Sequence, residues 1–173
     1  MKQLTLSMFK PDAFEETGVK NKVQEVFFEE LKKNDLEVVI VGAKFNFTLD
    51  LLEAHYGHTK KYGEGIFEGL KEYFMPSSEN AVAECQAMII YGEEAISKVR
   101  KIIGPTRNAK EGIRATSESA FKDSSKNYIH SSGLAKEGDA YKEVKEEILR
   151  FFTKEYPEIS QDKKFADFFG TNE

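Results

Sequence analysis

The chain has 173 residues, a net charge of −5 and a single cysteine, Cys85. A chain of this length is expected to form one domain whose core removes on the order of 70% of the unfolded surface from water. The acidic balance argues against a general nucleic-acid binder, because such proteins need basic residues to neutralise phosphates. Cys85 cannot form an internal disulfide, which is typical of a reducing compartment.

Localisation and domain organisation follow from the same reading. No segment approaches the ~18 consecutive apolar residues of a membrane helix, and the first twelve residues lack the apolar core of a signal peptide. We therefore expect a cytoplasmic protein without a membrane partner. We expect a single domain over residues 1–156, followed by a polar tail at 157–173 that could pack on a neighbouring subunit.

The first half of the chain is predicted to start with a strand that stops at Pro11, because proline cannot donate to a β-ladder. Apolar spacing and composition predict, in order, a strand at 4–9, a helix at 20–33, a strand at 37–48, a short helix at 49–56 with Thr48 as N-cap, a helical segment within 61–74 and a strand at 83–92.

The second half is predicted to contain a helix at 93–103, a short strand at 126–130 and an amphipathic helix at 140–156. This alternation indicates an α+β fold: a ferredoxin-like βαββαβ antiparallel sheet with helices packed on it and a C-terminal helical extension. Residues 104–125 show little periodicity, and loops of that length in compact domains are usually functional or disordered.

Several motifs of known chemistry are absent from the sequence. There is no phosphate-binding P-loop and no nucleophile elbow, and the glycines of YGEGIFEG have the wrong spacing and context for a dinucleotide fingerprint. His55 and His58 lie three residues apart, but no third metal ligand stands at a clear spacing. A solvated helix end is therefore favoured for this pair, and no metal site is predicted.

His130 is the strongest candidate for chemistry, because it ends a strand and begins a turn, where a sheet can aim a side chain into a pocket. Lys10, Arg100, Thr106 and Arg114 lie at strand ends, helix ends or in the long loop. Cations and hydroxyls around an imidazole favour phosphate chemistry. A neutral imidazole, with an unperturbed pKa near ~6.5, can attack phosphorus as a nucleophile.

The order of short motifs resembles the nucleoside diphosphate kinases, in their longer bacterial-like form, over roughly residues 3–152. The motifs that carry the resemblance are T-L-x-M-F-K-P-D-A (5–13), H-Y (55–56) with F-E-G-L (67–70), R-K-I-I-G-P-T (100–106), G-I-R (112–114), N-Y-I-H-S-S (127–132) and E-E-I-L-R-F-F (146–152).

The resemblance implies a ping-pong reaction in which a nucleoside triphosphate phosphorylates His130 and a diphosphate then collects the phosphoryl group. It implies that Glu147 orients the imidazole and that Ser132 assists nearby, with Tyr56 close to the histidine. Magnesium would be carried on the nucleotide phosphates. The family assembles as hexamers or tetramers, so a homo-oligomer is expected.

The nucleotide contacts implied by the resemblance fall on the remaining motif positions. Arg100, Thr106 and Arg114 would hold the phosphates. Lys10 and Asn127 would contact the ribose hydroxyls and the transferring phosphoryl group.

The sequence departs from the family pattern in three places. The position of the aromatic residue that stacks on the base holds Ile66, with Phe67 as the alternative. The acidic residue that commonly follows the serine is replaced at Gly133–Leu134, which leaves magnesium to water and phosphates. The segment between the histidine and Glu147 is longer, so Glu146 is the alternative partner of the imidazole.

Two other functions remain open from the sequence. The changed loop after His130 favours a catalytically weak, nucleotide-sensing or interaction member of the same fold. A sequence-independent DNA-binding protein is disfavoured by the net charge.

Overall fold

The computed structural model describes residues 1–14, 21–77, 83–106, 109–117, 126–133, 139–152 and 165. Within these residues, four strands form one antiparallel sheet in the order β2-β3-β1-β4. The strands are β1 (Lys2–Phe9), β2 (Glu37–Asn46), β3 (Glu84–Glu93) and β4 (Ile129–Ser131). The α-helices are α1 (Asn21–Lys33), α2 (Leu49–Tyr56), α3 (Glu64–Phe74), α4 (Ala95–Ile103) and α5 (Asp139–Phe152). The ferredoxin-like prediction is confirmed.

The boundaries of these elements have local causes. The Thr48 hydroxyl accepts a hydrogen bond from the Leu51 backbone N–H at 3.2 Å, so it caps α2 as predicted. Helix α4 begins two residues later than predicted, because β3 continues through Glu93 and Glu94 adopts a left-handed conformation with φ of 55°. Residues 153–156 of the last predicted helix lie outside the described residues.

Strand β1 is buried on both faces of the sheet. Leu4, Leu6 and Met8 pack in one apolar cluster with side chains of α2, α3 and α5. Phe9 packs in a second cluster with side chains of α1 and α4. Because both faces are covered, the strand is buried without a break from Leu4 to Phe9 rather than at alternate positions. The centre of the sheet is therefore a rigid support for the residues at its end.

The predicted polar tail is described at one position. Phe165 is 3% exposed and belongs to the same apolar cluster as Leu6 and Phe152. The boundary at residue 156 stays a prediction. In the described part of the chain, no helix combines the length and apolar character needed to cross a membrane.

The long segment after α4 crosses itself at two glycines. Gly104 has φ of 87° and Gly112 has φ of 76°. A Cβ atom on Gly104 would lie 2.3 Å from the Glu111 carbonyl oxygen. This close approach, which only glycine permits, brings Thr106 and Arg114 to one place. The Arg114 guanidinium donates to the Thr106 hydroxyl at 3.0 Å.

We expect Gly104→Ala to lower the free energy of unfolding by about 1–3 kcal/mol, because alanine is strained at positive φ and its Cβ would meet backbone. Urea unfolding measures the change. The control is Gly69→Ala, on the exposed face of α3, where a Cβ would meet nothing within 4 Å. Alanine should stabilise that helix by roughly 0.5–1 kcal/mol. Equal changes in the free energy of unfolding for Gly104→Ala and Gly69→Ala would contradict the proposed strain at Gly104.

Candidate active site

His130 lies in β4, opposite Met8 of β1. Its side chain is buried, and its Nε2 atom lies 3.0 Å from Oε2 of Glu147. Because the carboxylate engages Nε2, Nδ1 is the ring nitrogen that keeps a free lone pair when the imidazole is neutral. The Ser132 hydroxyl donates to the same Glu147 oxygen. The sheet and one carboxylate therefore fix the orientation of the imidazole ring.

Helix α5 positions the Glu147 carboxylate beside the His130 imidazole. Val144, Ile148 and Phe152 are buried on the inner face of the helix, and Glu147 shares that face. Burial alone would raise the pKa of Glu147, but the charge and hydrogen bond of His130, together with His55 and Ser132, lower it to about 2. The carboxylate is therefore ionised at neutral pH.

Glu147, and not the alternative Glu146, contacts the histidine. The Glu146 side chain is 55% exposed and lies 4.0 Å from the ammonium group of Lys142. Glu146 nevertheless lies in the wall of the same cavity, one residue from Glu147. The two neighbours thus differ in environment because they point in different directions around the helix.

His55 is a member of the site that the sequence did not reveal, and the prediction of a solvated helix end is wrong for it. The side chain is buried, and its Nδ1 atom lies 3.7 Å from Oε1 of Glu147. Its ring centroid is 4.8 Å from that of His130. Burial, with the nearby charge of His130, holds the pKa of His55 well below its ordinary value, so the ring is neutral. His58, three residues later, is exposed.

One sequence signal could have indicated the burial of His55. Leu52 and His55 are three residues apart, so they share one face of α2, and Leu52 is fully buried. The contact with Glu147 could not be read this way, because it depends on how α2 and α5 pack against each other.

A second group of residues holds Lys10 beside the histidine strand. The Lys10 ammonium donates to the Asn127 side-chain oxygen at 2.7 Å, and both residues are buried. The Asp12 carboxylate accepts from the Tyr128 backbone N–H at 2.9 Å and from the Tyr73 hydroxyl. Tyr128 has φ of 66°, an uncommon conformation that turns the chain just before β4. These bonds fasten the start of β4 to the end of β1.

Arg114 ties the long loop to the same strand. Its guanidinium donates to the Ile129 carbonyl at 2.7 and 3.1 Å and to the Gly104 carbonyl at 3.2 Å. Burial lowers the pKa of Arg114 to about 10, so the group is still protonated at neutral pH. A positive charge is therefore fixed against the histidine strand.

A cavity of ≈ 580 Å³ opens over these groups. Of the residues predicted from the sequence, the following line it: Lys10, Tyr56, Ile66, Thr106, Arg114, His130 and Glu147. Arg100, Asn127 and Ser132 are not part of the lining. Arg100 is half-buried on α4, and its charge acts on Arg114; Asn127 and Ser132 are buried behind Lys10 and Glu147.

The two remaining candidates on the cavity wall are Tyr56 and Ile66. Among the described residues, the buried Tyr56 hydroxyl has no hydrogen-bond partner, and its ring centroid is 6.3 Å from that of His130. Burial raises the pKa of Tyr56 well above its ordinary value, so it keeps its proton. Ile66 is 44% exposed, whereas Phe67 is 3% exposed in the core. Ile66 is therefore the one that faces the cavity.

Known proteins of similar sequence belong to one family. A nucleoside diphosphate kinase family model matches residues 3–156. The nucleoside diphosphate kinase of Methanobrevibacter smithii is 30% identical over 156 residues, which cover 90% of each chain. The nucleoside diphosphate kinase of Francisella philomiragia is 31% identical over 153 residues, which cover 88% of this chain and 94% of the relative.

Solved structures show the same fold. The nucleoside diphosphate kinase of Aquifex aeolicus superposes with a TM-score of 0.63 at 27% identity, over 88% of this chain and 96% of that one. The Halobacterium salinarum nucleoside diphosphate kinase, solved in complex with CDP, superposes with a TM-score of 0.66 at 24% identity, over 88% of each chain. The match of the family model across almost the whole chain, with relatives of similar length, shows that the chain belongs to the nucleoside diphosphate kinase family.

Proposed function

We propose that this protein is a nucleoside diphosphate kinase that transfers the γ-phosphoryl group of a nucleoside triphosphate to a nucleoside diphosphate through phosphorylated His130. The observation that carries the proposal is the geometry of His130. Its Nε2 atom is held 3.0 Å from the ionised Glu147, at the wall of a cavity that also contains Lys10 and Arg114.

The chemistry follows from the two ring nitrogens. The Nδ1 lone pair attacks the γ-phosphorus, an N–P bond forms, and the bond from phosphorus to the bridging oxygen of the β-phosphate breaks. The diphosphate leaves with that electron pair. Nε2 keeps its proton, and Glu147 offsets the positive charge that develops on the ring. A second diphosphate then attacks the phosphorus through its terminal oxygen and restores the imidazole.

One cavity can serve both half-reactions, because donor and acceptor differ by one phosphate. Lys10 and Arg114 would stabilise the charge on the transferring group, with Thr106 as a hydroxyl donor. Asn127, expected from the sequence to contact the ribose, is fully buried and outside the cavity lining, so it would act through the Lys10 ammonium that it holds. Arg100, outside the cavity lining, would act on the phosphates at longer range.

Tyr56 and Ser132 have different proposed roles. The Tyr56 hydroxyl, buried and still protonated, can donate a hydrogen bond to a phosphoryl group that enters beside His130. Ser132 would assist indirectly, since its hydroxyl is bonded to Glu147. We therefore treat Ser132 as a residue that positions the carboxylate.

Magnesium would enter on the phosphates of the nucleotide, where it neutralises charge on the transferring group. The residues of the site fit such an ion, because magnesium prefers oxygen ligands and carboxylates line the cavity. Glu147 is engaged by His130 and Ser132. The ion would therefore be held by the nucleotide phosphates and its own water shell rather than by a direct carboxylate ligand.

We also propose a homo-oligomer in the cytoplasm. Val26 and Phe28 on α1 and Val41 on the edge strand β2 are 40–47% exposed, and apolar side chains on a helix and a free strand edge favour burial by another copy. The single free thiol, Cys85, is compatible with a reducing compartment.

His130→Ala is expected to abolish formation of the phosphoenzyme. Wild-type protein incubated with labelled ATP and magnesium should acquire a phosphate that is labile in acid and stable in base, as expected for a phosphorus–nitrogen bond. His58→Ala, which removes an exposed histidine at the cavity wall, should label like the wild type at saturating ATP. Label that persists in His130→Ala would contradict the assignment of the nucleophile.

Glu147→Gln should lower kcat by about 10- to 150-fold, the rate equivalent of losing a charged hydrogen bond of roughly 1.5–3 kcal/mol. Steady-state phosphotransfer from ATP to a second diphosphate measures the effect. The matched control is Glu146→Gln, which makes the same change one residue away and should retain kcat within about threefold of wild type, because surface substitutions usually cost less than 0.5 kcal/mol. If Glu146→Gln lowers kcat more than Glu147→Gln does, Glu146 is the carboxylate that orients His130.

Ile66→Ala should raise KM for the nucleotide by about three- to tenfold, since the base loses roughly 1 kcal/mol of apolar contact. The yield of phosphohistidine at saturating ATP should not change. Leu49→Ala is the control, because Leu49 is 43% exposed on α2 and is not part of the cavity lining. If both variants have the KM of the wild type, Ile66 does not contact the base.

A further inference from the structure

We propose that the nucleotide-free protein binds a divalent transition metal, with zinc as the probe, at His55, His130 and Glu147, and that the bound ion slows phosphorylation of His130. The binding stands on the geometry of these three residues. The inhibition also rests on the proposed function.

The three side chains form a compact donor set from three separate elements. One nitrogen of each imidazole and one carboxylate oxygen lie within 4.8 Å of one another. His130 Nε2 lies 3.0 Å from one oxygen of Glu147, and His55 Nδ1 lies 3.7 Å from the other. With zinc bonds of about 2.1 Å, the pairs at 3.0 and 3.7 Å would subtend roughly 90–125° at the ion, which suits tetrahedral coordination. Two such bonds span at most about 4.2 Å, so a donor pair at the 4.8 Å limit has to move closer when the ion binds.

The hydrogen bond from Arg150 identifies the nitrogen of His55 that can bind an ion. The guanidinium lies 3.1 Å from His55 Nδ1. Arginine has only donors, so Nδ1 must carry the lone pair and Nε2 the proton. A metal would replace this guanidinium at Nδ1. Arg150 is half-buried and lines the cavity, so its side chain can turn into the open space.

The charges around the cluster permit a cation. Glu143 and Glu146 line the same cavity, on the same helix as Glu147. Their carboxylates offset part of the charge of Arg150. A cation bound at Glu147 is therefore not surrounded by positive charge alone.

The donor atoms also discriminate between metals. Two imidazole nitrogens and a carboxylate suit zinc and its neighbours, whereas magnesium prefers oxygen ligands and keeps its water. The magnesium that accompanies a nucleotide would therefore compete poorly with zinc for the site formed by His55, His130 and Glu147. Cys85, the single thiol, is buried elsewhere in the core and does not belong to the cluster.

Metal binding at Nε2 of His130 would change the reactivity of Nδ1, the nucleophilic nitrogen of the same ring. The ion would occupy Nε2 of His130 and take the carboxylate that orients the ring. Coordination at Nε2 displaces the proton that this nitrogen carries in the metal-free site, and the neutral ring then holds its proton on Nδ1, which leaves no lone pair there for attack on phosphorus. The predicted result is a slower attack on the γ-phosphorus while the ion is bound.

Binding is tested without nucleotide, on the full chain freed of metal, by titrating zinc against a chromophoric chelator. Wild-type protein should bind one ion per chain. His55→Ala should weaken zinc binding at least about tenfold. Removal of a residue that only hydrogen-bonds to a metal ligand already costs about that much affinity, and loss of a ligand should cost no less. His58→Ala is the matched control and should bind like the wild type.

Circular dichroism shows whether His55→Ala is folded, and His55→Gln replaces it if it is not. No stoichiometric binding by the wild type, or unchanged affinity in the folded His55 variant, would overturn the proposal. Binding that is lost in His58→Ala would place the ion at His58 on the cavity wall rather than at the three buried residues, and would overturn the proposal equally.

Inhibition is tested by adding one equivalent of zinc before a sub-stoichiometric amount of labelled magnesium–ATP. The initial rate of phosphohistidine formation should fall several-fold and recover with a zinc-selective chelator. An unchanged rate with zinc bound contradicts the inhibitory effect. If zinc-free protein is not labelled at all, the proposed function fails and the inhibition fails with it, while the binding result stands.

Discussion

The hydrogen bond between His130 and the buried carboxylate of Glu147 is the interaction on which the site depends. A carboxylate taken out of water is costly unless it is paired and hydrogen-bonded. Here the His130 ring and the Ser132 hydroxyl converge on one oxygen, and His55 lies beside the other. These contacts lower the pKa of the carboxyl group and so keep it ionised. The same contacts leave Nδ1 of His130 as the nitrogen that can act.

The rest of the fold supplies the rigidity that this pair requires. Strand β1 is covered on both faces and holds β4 through its backbone, while α5 packs on the sheet through its apolar residues. The self-crossing loop at Gly104 and Gly112 fixes Arg114 against Ile129. Cations and nucleophile are thus placed by separate segments, so that charge is in position before a nucleotide arrives.

The two nitrogens of the His130 imidazole favour different reactions, phosphoryl transfer at Nδ1 and metal binding at Nε2. Nδ1 is the nitrogen that Glu147 leaves free for a phosphoryl group, and the cavity that His130 lines also contains Lys10 and Arg114. The Nε2 side belongs to Glu147 and His55, which are oxygen and nitrogen donors. Either ring nitrogen can donate a lone pair, Nδ1 to phosphorus or Nε2 to a metal, but a neutral ring has only one such lone pair at a time. The protein therefore has to keep Nε2 occupied by a proton if Nδ1 is to serve as the nucleophile.

The sequence by itself determined the elements and their order, because apolar periodicity and chain-breaking residues act over a few neighbours. It predicted the strand that carries His130, the cap at Thr48 and the alternation that specifies the sheet. Motif order also indicated the family. Tertiary structure alone decided that Glu147 rather than Glu146 reaches the imidazole, that Ile66 rather than Phe67 faces the cavity, and that His55 is buried beside the carboxylate. These outcomes depend on the rotation of α2, α3 and α5 against the sheet. That rotation is set by packing between residues far apart in the chain, which local pattern does not contain.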